Sequence, residues 1–594
     1  MLGLVISFAP EADRKKRQCI INRAKYVMEN LYEAQDSVLL FPSDQHDGNE
    51  IVLLTRTHEF SLPETKEEKD NFIIPLCLGS SESLNTIKDP SDLSWLEDMT
   101  PPFGVFQKSA DGVICATDLW GLKHLYSTQQ EGVVYVATSA ILLGLLTSNA
   151  LDWDSLITFS LSGFYLDDMS LYQNVHKLNP GRLWRVKQGR IQEECYYELE
   201  REQNLYSSLE AAADDGYEVL KSLMETTVEH HEQLNMELSG GIDSRLLFCA
   251  FPKEDYHRLH TITLGTPTQP DYIIAKKITD KYQVSHQFVN LEEMNSSDID
   301  AIIASVKSKL LERDLMVDIL SSIVFNWVES HLNQKSRITG LNGEIARGFY
   351  YTGQTDQTGD VTKNIDQIIN WRIMINKKVD PRIFKTTVHQ KGFRNSVQRI
   401  HRLFDQYPGT FMQKSDWFYL FQRMNRWNGS GLSSICQHRP VIAPFFDKRF
   451  VTWAFKVPCE YKRQGRIIAE IMKRFNSDLA SLALASGPCP SDIAQPTFLS
   501  DLKKKVNFLR KVARKLAQKA GRAEREEYGV PLLTRCLSEK WARSETLLDW
   551  LNSYSALQKD FIVKALKNKE IKNPATLSFL LSLKMLSDVR TRLG

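Results

Sequence analysis

The chain is short of several things that mark specialised proteins. Its nine cysteines (Cys19, Cys77, Cys115, Cys195, Cys249, Cys436, Cys459, Cys489, Cys536) are scattered with no CxxC pair. That spacing argues against a zinc cage or a disulfide scaffold and suits a reducing compartment. No run of about 18 apolar residues occurs, so no transmembrane segment is expected. The opening stretch MLGLVISFAPEADRKKRQ lacks the basic start and long apolar core of a signal peptide. It reads as a buried strand, and a cytoplasmic location is the expectation. An excess of one charge is also missing: 74 Lys and Arg against 73 Asp and Glu leave a net charge of +1. The molecule as a whole is therefore no electrostatic trap for nucleic acid or anionic lipid, and such a role needs a local patch. Internal repeats and low-complexity linkers are absent.

What is present is an ordinary globular composition, 42% hydrophobic and 25% charged. At 594 residues the chain is too long for one core, and about two to four domains are expected. Residues 1–200 read as short strands and turns, with turn signals at Ala110-Asp111-Gly112, Glu131-Gly132 and Gln188-Gly189. From 205 the texture changes to a long helix, an apolar segment NMELSGG, and candidate strands HTITLG (260–265), HQFVNL (286–291) and RITGLNG (337–343) between helices. Strands alternating with helices predict a parallel sheet with crossover connections. The pattern is mainly helical from about 365, and the tail, 496–594, reads as a helical extension. The fold class is α/β multidomain: a layered α+β domain over 1–200, then a parallel-sheet domain over 205–495.

The most informative segment is MELSGGIDSRLLFCA, residues 236–250. An apolar run ends at Leu238, a Ser239-Gly240-Gly241 turn follows, and an amphipathic helix begins near Ile242. Two glycines let the backbone approach a ligand with no Cβ in the way. Free amides at the helix start, the helix dipole and the hydroxyls of Ser239 and Ser244 make an anion cradle. Asp243 repels a bare phosphate, yet beside a magnesium-bound pyrophosphate its carboxylate becomes a metal ligand. A lone SGG is also the ordinary turn of any α/β protein; the longer SGGxDS pattern is much narrower and indicates a Mg-nucleotide.

SGGIDS resembles the pyrophosphate loop of the asparagine synthetase superfamily, and other segments agree. TITLGTPTQPDYIIAKKITDKYQVSHQFV (261–289) is similar to that family's second strand and helix, GLNGEIARGFYY (340–351) to its GEGSDEVFGGY-like loop, and APFFDKRFVTWAFKVP (443–458) to its PFLD segment. Upstream, Asp118–Tyr126, Val136–Ser139 and Leu178–Gly181 resemble the class II glutamine amidotransferase domain, an Ntn-hydrolase-like fold. The resemblance implies ATP contacts from Leu238, Ser239, Gly240, Gly241, Ile242, Asp243 and Ser244, with the backbone near Leu264 holding adenine and Gly340 at the third loop. It places Asp271 where the family carries an acidic residue before the helix. It implies Mg²⁺ bound by Asp243 and Glu344.

Three departures matter. Position 2, the family's nucleophilic cysteine, is Leu2, which cannot attack glutamine. The amidotransferase-like domain is therefore expected to be inactive. The family's catalytic glutamate is Leu341, and its metal-binding aspartate is Glu344, whose carboxylate also suits a helix N-terminus. The lysine that meets the reacting phosphate is Arg466, with Lys462 and Arg463 close by; a solvated basic helix face is the other reading.

The resemblance thus implies an ATP-dependent amide-forming ligase without its own glutaminase. A small-molecule or peptide carboxylate would become an acyl-adenylate, and an amine donor would complete the amide. Macrolactam synthetases of the lasso-peptide type are one branch of the family. A nucleotide-binding pseudoenzyme acting as subunit or sensor is the alternative. Segment 501–522, DLKKKVNFLRKVARKLAQKAGR, predicts a basic amphipathic helix, either packed by its apolar stripe or open to an acidic ligand or partner protein. The run Trp417-Phe418-Tyr419-Leu420-Phe421, with Trp427, is read as helix core, and no specific nucleic-acid binding is expected. His124 and His286 are read as core or turn histidines.

Overall fold

The structure is a computed structural model that describes residues 2–31, 38–42, 50–55, 72–78, 92–109, 111–200, 205–296, 299–315, 317–333, 335–351, 361–374, 379–436, 438–485, 487–495, 528–544 and 549–593. The predicted basic helix at 501–522 lies outside the described residues.

The N-terminal stretch forms a buried strand, Gly3–Phe8, in which side chains alternate between two cores. Val5 points into a core shared with Val52, Phe106, Cys115 and Trp184, whereas Leu4, Ile6 and Phe8 join the core that covers helices Arg14–Leu31 and Ala140–Thr147. Two antiparallel sheets result. One runs Val38–Pro42, Glu50–Thr55, Gly3–Phe8, Val133–Ala137, Tyr126–Gln130, His176–Lys177; the other runs Arg190–Cys195, Arg182–Lys187, Gly112–Thr117, Gly104–Ser109, Phe72–Pro75. Two predicted turns are tight hairpins with left-handed residues in sequence, Glu131 (φ 50°) with Gly132 (φ 76°) and Gln188 (φ 50°) with Gly189 (φ 68°).

The second part is a parallel sheet in the order Ser285–Asn290, Leu259–Gly265, Leu234–Glu237, Arg337–Ile338, Val441–Ile442. The strand expected over 337–343 stops at Ile338, because the chain turns away to the left-handed Asn342 (φ 77°). Helices Leu209–His230, Ile242–Ala250 and Pro270–Tyr282 flank this sheet. Helix Phe411–Phe418 opens with a Thr410–Gln413 capping box and widens to i→i+5 bonding over Tyr419–Asn428 before continuing as Gly429–Ile435. Trp417, Phe418, Tyr419 and Leu420 are buried as expected. Trp427 departs from that reading: it is 36% exposed and stacks on Arg423.

The layers are joined by buried polar contacts. Trp120 donates its indole N–H to the Phe446 carbonyl (2.6 Å), and Asn425 donates to the Trp120 carbonyl (2.6 Å). His124 is buried beside the Asn425 carbonyl (2.9 Å), and burial, with Lys177 and Arg426 nearby, holds its pKa well below the ordinary value. Asp314 accepts from Ser139 Oγ (2.5 Å) and from the Ala140 and Ile141 amides (3.0 and 3.1 Å), capping helix Ala140–Thr147 from across the joint. The last helix, Pro574–Leu593, returns to the first: Arg23 donates to the Leu593 carbonyl (2.6 Å) and Arg592 to the Leu31 carbonyl (3.3 Å). Among the described residues no helix is long and apolar enough to cross a membrane.

Candidate functional site

The site lies where the parallel strands end. Strand Leu234–Glu237 hands over to the Leu238–Gly241 turn, and helix Ile242–Ala250 starts with Gly241 as its N-cap. Gly240 has no room for a side chain: a Cβ there would lie 2.7 Å from Ala485 Cβ. Its carbonyl is fixed by the Ala485 amide (2.9 Å) and by Arg245 (3.3 Å). Arg245 is itself buried among the Leu479, Leu482 and Ala483 carbonyls, so it clamps the loop from beneath. The Gly240 amide is thereby turned toward Asp271, whose Oδ1 accepts from it at 2.9 Å. Ser239 and Ser244 meet hydroxyl to hydroxyl at 3.0 Å, and Ser244 Oγ accepts the Ser239 amide at 3.1 Å.

A cavity of about 430 Å³ opens over this loop. It brings together Leu238, Ser239, Gly241, Asp243, Ser244, Leu264, Gly340 and Glu344 from the sequence-predicted set, with Asp271 and Leu341 on its wall. Ile242 is buried beneath it in the core, and Gly240 contributes its backbone. Leu264, 46% exposed, turns its side chain to solvent at the end of its strand. Gly343 has to be a glycine, since a Cβ would lie 2.6 Å from Asp243 Oδ1.

Asp243 and Glu344 do converge, and a residue that the sequence reading passed over lies between them. Arg347 donates to Asp243 Oδ2 at 2.5 Å and lies 3.6 Å from Glu344 Oε1. Asp243 Oδ1 is buried with no hydrogen-bond partner among the described residues. Burial, reinforced by the Glu344 charge and opposed by Arg347, pushes Asp243 up to about 7. Burial alone would lower the Arg347 pKa, but the two carboxylates outweigh it and raise it. Glu344 Oε2 accepts from the Tyr419 hydroxyl at 2.9 Å. An orphaned carboxylate oxygen next to a second carboxylate and a Cβ-free loop is a donor set that fits a Mg-nucleotide, with Arg347 as the resident countercharge. Among the described residues no group of three or more His, Cys, Asp or Glu forms a metal cluster, so Mg²⁺ would need oxygens from its nucleotide.

The predicted catalytic cations lie outside the cavity lining. Lys462 is buried and paired to Asp416 (2.7 Å), which also accepts from the Tyr351 hydroxyl (2.7 Å). Lys462 is thus held as part of a buried triad and is not free to reach a phosphate. Arg466 is exposed at the first turn of helix Arg466–Phe475, next to Gly465, whose Cβ position is 3.2 Å from Arg347 Cδ. The Leu2 side chain is buried in the core, as an apolar residue should be. A further cavity of about 450 Å³ at the joint, lined by Lys177, Arg182 and Trp417 among others, holds none of the predicted site residues.

Residues 217–335, which span the loop, the Asp271 helix and the parallel strands up to the third, match the asparagine synthase family model. Over those residues the architecture is asparagine synthetase-like. The asparagine synthase segment supports an ATP-utilising, ligase-type function. No curated protein matches the chain. Solved structures similar to it include the allosteric regulatory enzyme of purine biosynthesis, at 8% identity over 48% of this chain and 80% of that one, with a TM-score of 0.23. Glutamine phosphoribosylpyrophosphate amidotransferase from B. subtilis, complexed with ADP and GMP, follows at 9% identity, 48% and 65% coverage and a TM-score of 0.21. The U34-tRNA thiolase NcsA from Methanococcus maripaludis, with its 4Fe–4S cluster, is 13% identical over 39% and 82%, with a TM-score of 0.16. Likenesses this slight have no bearing on function.

Proposed function

We propose that the chain is an ATP-dependent amide-forming ligase, which activates a carboxylate as its acyl-adenylate with release of pyrophosphate and then passes the acyl group to an amine, releasing AMP. The observation that carries this reading is the buried Asp243 Oδ1, which has no partner among the described residues and feels the nearby Glu344 charge, held in place where Gly343 lets the third loop close onto it. Ser239 and Ser244 offer hydroxyls, and helix Ile242–Ala250 offers its positive end, to the leaving pyrophosphate. Arg347 supplies positive charge beside the same oxygens, and exposed Arg466 can swing in from its helix start. Asp243 and Glu344 are the groups that would hold Mg²⁺, which when bound neutralises charge on the departing phosphates. A nucleotide oxygen that takes the Gly240 amide first has to displace the Asp271 carboxylate from it.

Under the same reading residues 1–200 are an amidotransferase-like layer without a nucleophile, 205–495 the synthetase unit and 496–594 its helical extension. With leucine at position 2, the amine comes as free ammonia, as a substrate amine or as a partner's product. The test is ATP–pyrophosphate exchange by the purified chain with Mg²⁺ over a panel of acids: aspartate, uronic acids, peptide acids. Exchange with one acid establishes adenylation; clear ATP binding without exchange for any acid overturns it. A second reading, nucleotide binding without turnover, is favoured by Leu341 in place of a general base and by Arg347 occupying the space between the two carboxylates.

A further inference from the structure

Two cysteines far apart in the sequence meet at the joint between the antiparallel layers and the rest of the chain. Cys77 follows the edge strand Phe72–Pro75, and Cys436 closes helix Gly429–Ile435, 359 positions later. Their Sγ atoms lie 2.9 Å apart, within about 1 Å of a bonded pair at ~2.05 Å. The backbones abut as well, since the Leu78 amide donates to the Cys436 carbonyl at 2.6 Å. Both residues are thiols, and both are 0% exposed.

The surroundings treat the two thiols differently. The turn at 118–124 docks on helix Gly429–Ile435: the His124 amide donates to Ser433 Oγ and Lys123 Nζ to the Ser433 carbonyl, each at 3.3 Å. A buried ammonium therefore stands beside the pair, while the Asp118 carboxylate accepts from the Trp120, Leu122 and Lys123 amides. Burial opposes ionisation of Cys436, as does Asp118. The Cys77 thiol and Lys123 outweigh them and hold the Cys436 pKa below its ordinary value. Burial and the contact with Cys436 push Cys77 well up. Cys436 is thus placed as the nucleophile and Cys77 as the thiol that resolves it.

We propose that Cys77 and Cys436 form a modification site, converted by hydrogen peroxide to a reversible disulfide that braces the antiparallel layers against the parallel-sheet part. The Cys436 thiolate attacks a peroxide oxygen: an S–O bond forms, the O–O bond breaks, and the hydroxide takes up the thiol's proton as water. Cys77 then attacks the Cys436 sulfur and passes its own proton to the departing hydroxyl. The S–S bond forms, the S–O bond breaks, and a second water leaves. Two thiols are oxidised and one peroxide is reduced to two waters. A buried pair suits an oxidant this small. The scattered cysteine spacing argues against a permanent disulfide scaffold, and a reversible link is the kind found in reducing compartments. Just beyond the brace, the Ile442 carbonyl of strand Val441–Ile442 accepts the Thr339 amide at 3.0 Å, next to Gly340 of the candidate site.

The test uses the full-length chain, reduced and then dosed with hydrogen peroxide until the exposed Cys19 and Cys195 are oxidised. Alkylation after denaturation and non-reducing peptide mass spectrometry then locate the thiols. The expected result is a peptide linked through Cys77 and Cys436 and released by dithiothreitol. The linked chain should melt roughly 3 °C above equally treated Cys77→Ser. In Cys77→Ser, dimedone should trap Cys436 as its sulfenic acid, whereas Cys436→Ser should leave Cys77 a thiol. Oxidised Cys19 and Cys195 with no Cys77–Cys436 link overturn the site, and a link with no rise in melting temperature overturns the brace. None of these readouts involves ATP, so they stand apart from the ligase reading.

Discussion

Two buried aspartates divide this molecule between structure and chemistry. Asp314, at the joint between the antiparallel layers and the parallel-sheet part, accepts three hydrogen bonds from Ser139, Ala140 and Ile141. Asp243, in the glycine loop, has Arg347 on one oxygen and, among the described residues, no hydrogen-bond partner on the other. Burial raises both, Asp314 to about 6 and Asp243 to about 7. The same cost of desolvation is offset locally in the first case and left open in the second. An open buried acceptor is what a ligand can complete, so the contrast separates a cap from a site.

Four experiments would break or sharpen that contrast. The largest effect is expected from Asp314→Ala, which strands three donors at the joint and should cost about 3 kcal/mol of unfolding free energy in a denaturant titration. A loss below about 1 kcal/mol would mean that the joint does not depend on this cap. Next, Asp243→Asn should cut pyrophosphate exchange about 100-fold, which corresponds to about 2.7 kcal/mol, while leaving the melting temperature unchanged or higher. A large fall in stability with activity retained would move Asp243 to the structural class.

The pH dependence of Asp314 follows from its raised pKa. The unfolded chain loses this proton near the ordinary aspartate value of 3.8, the folded one only at about 6. Between those values the native state holds the extra proton, so stability from this group falls as pH rises from 3.8 to about 6 and is flat above. Melting curves of Asp314→Asn should lack that descent; an identical descent would assign it elsewhere. Smallest is Gly240→Ala, whose methyl meets Ala485 and should weaken ATP binding about tenfold, about 1.4 kcal/mol. The double variant with Ala485→Gly should recover most of it, unless the loop's position does not matter to the nucleotide.

How much of this was legible in the sequence depends on distance along the chain. The hairpins at Glu131-Gly132 and Gln188-Gly189 and the strand–SGG–helix junction rest on neighbours and were readable from neighbours. The convergence of Asp243 and Glu344 came with the resemblance. Arg347 had a local signal, three residues after Glu344 at the spacing of a helical ion pair, but its stronger partner is 104 positions away. Lys462 looked free because Asp416, its partner, stands 46 residues upstream. The two-residue strands Arg337–Ile338 and Val441–Ile442 are too short for any periodicity to reveal, and only the sheet between them makes them strands. Trp427 was read as core because aromatic spacing does not distinguish an outward ring from an inward one.

The handshake between the first and last helices also sets a schedule. Arg23 finds its acceptor 570 residues downstream, at Leu593. At a synthesis rate of about 10 residues per second, the acceptor leaves the ribosome about a minute after the arginine. Through that interval the N-terminal layer has one flank uncovered, so in the cell its completion is among the last events of folding.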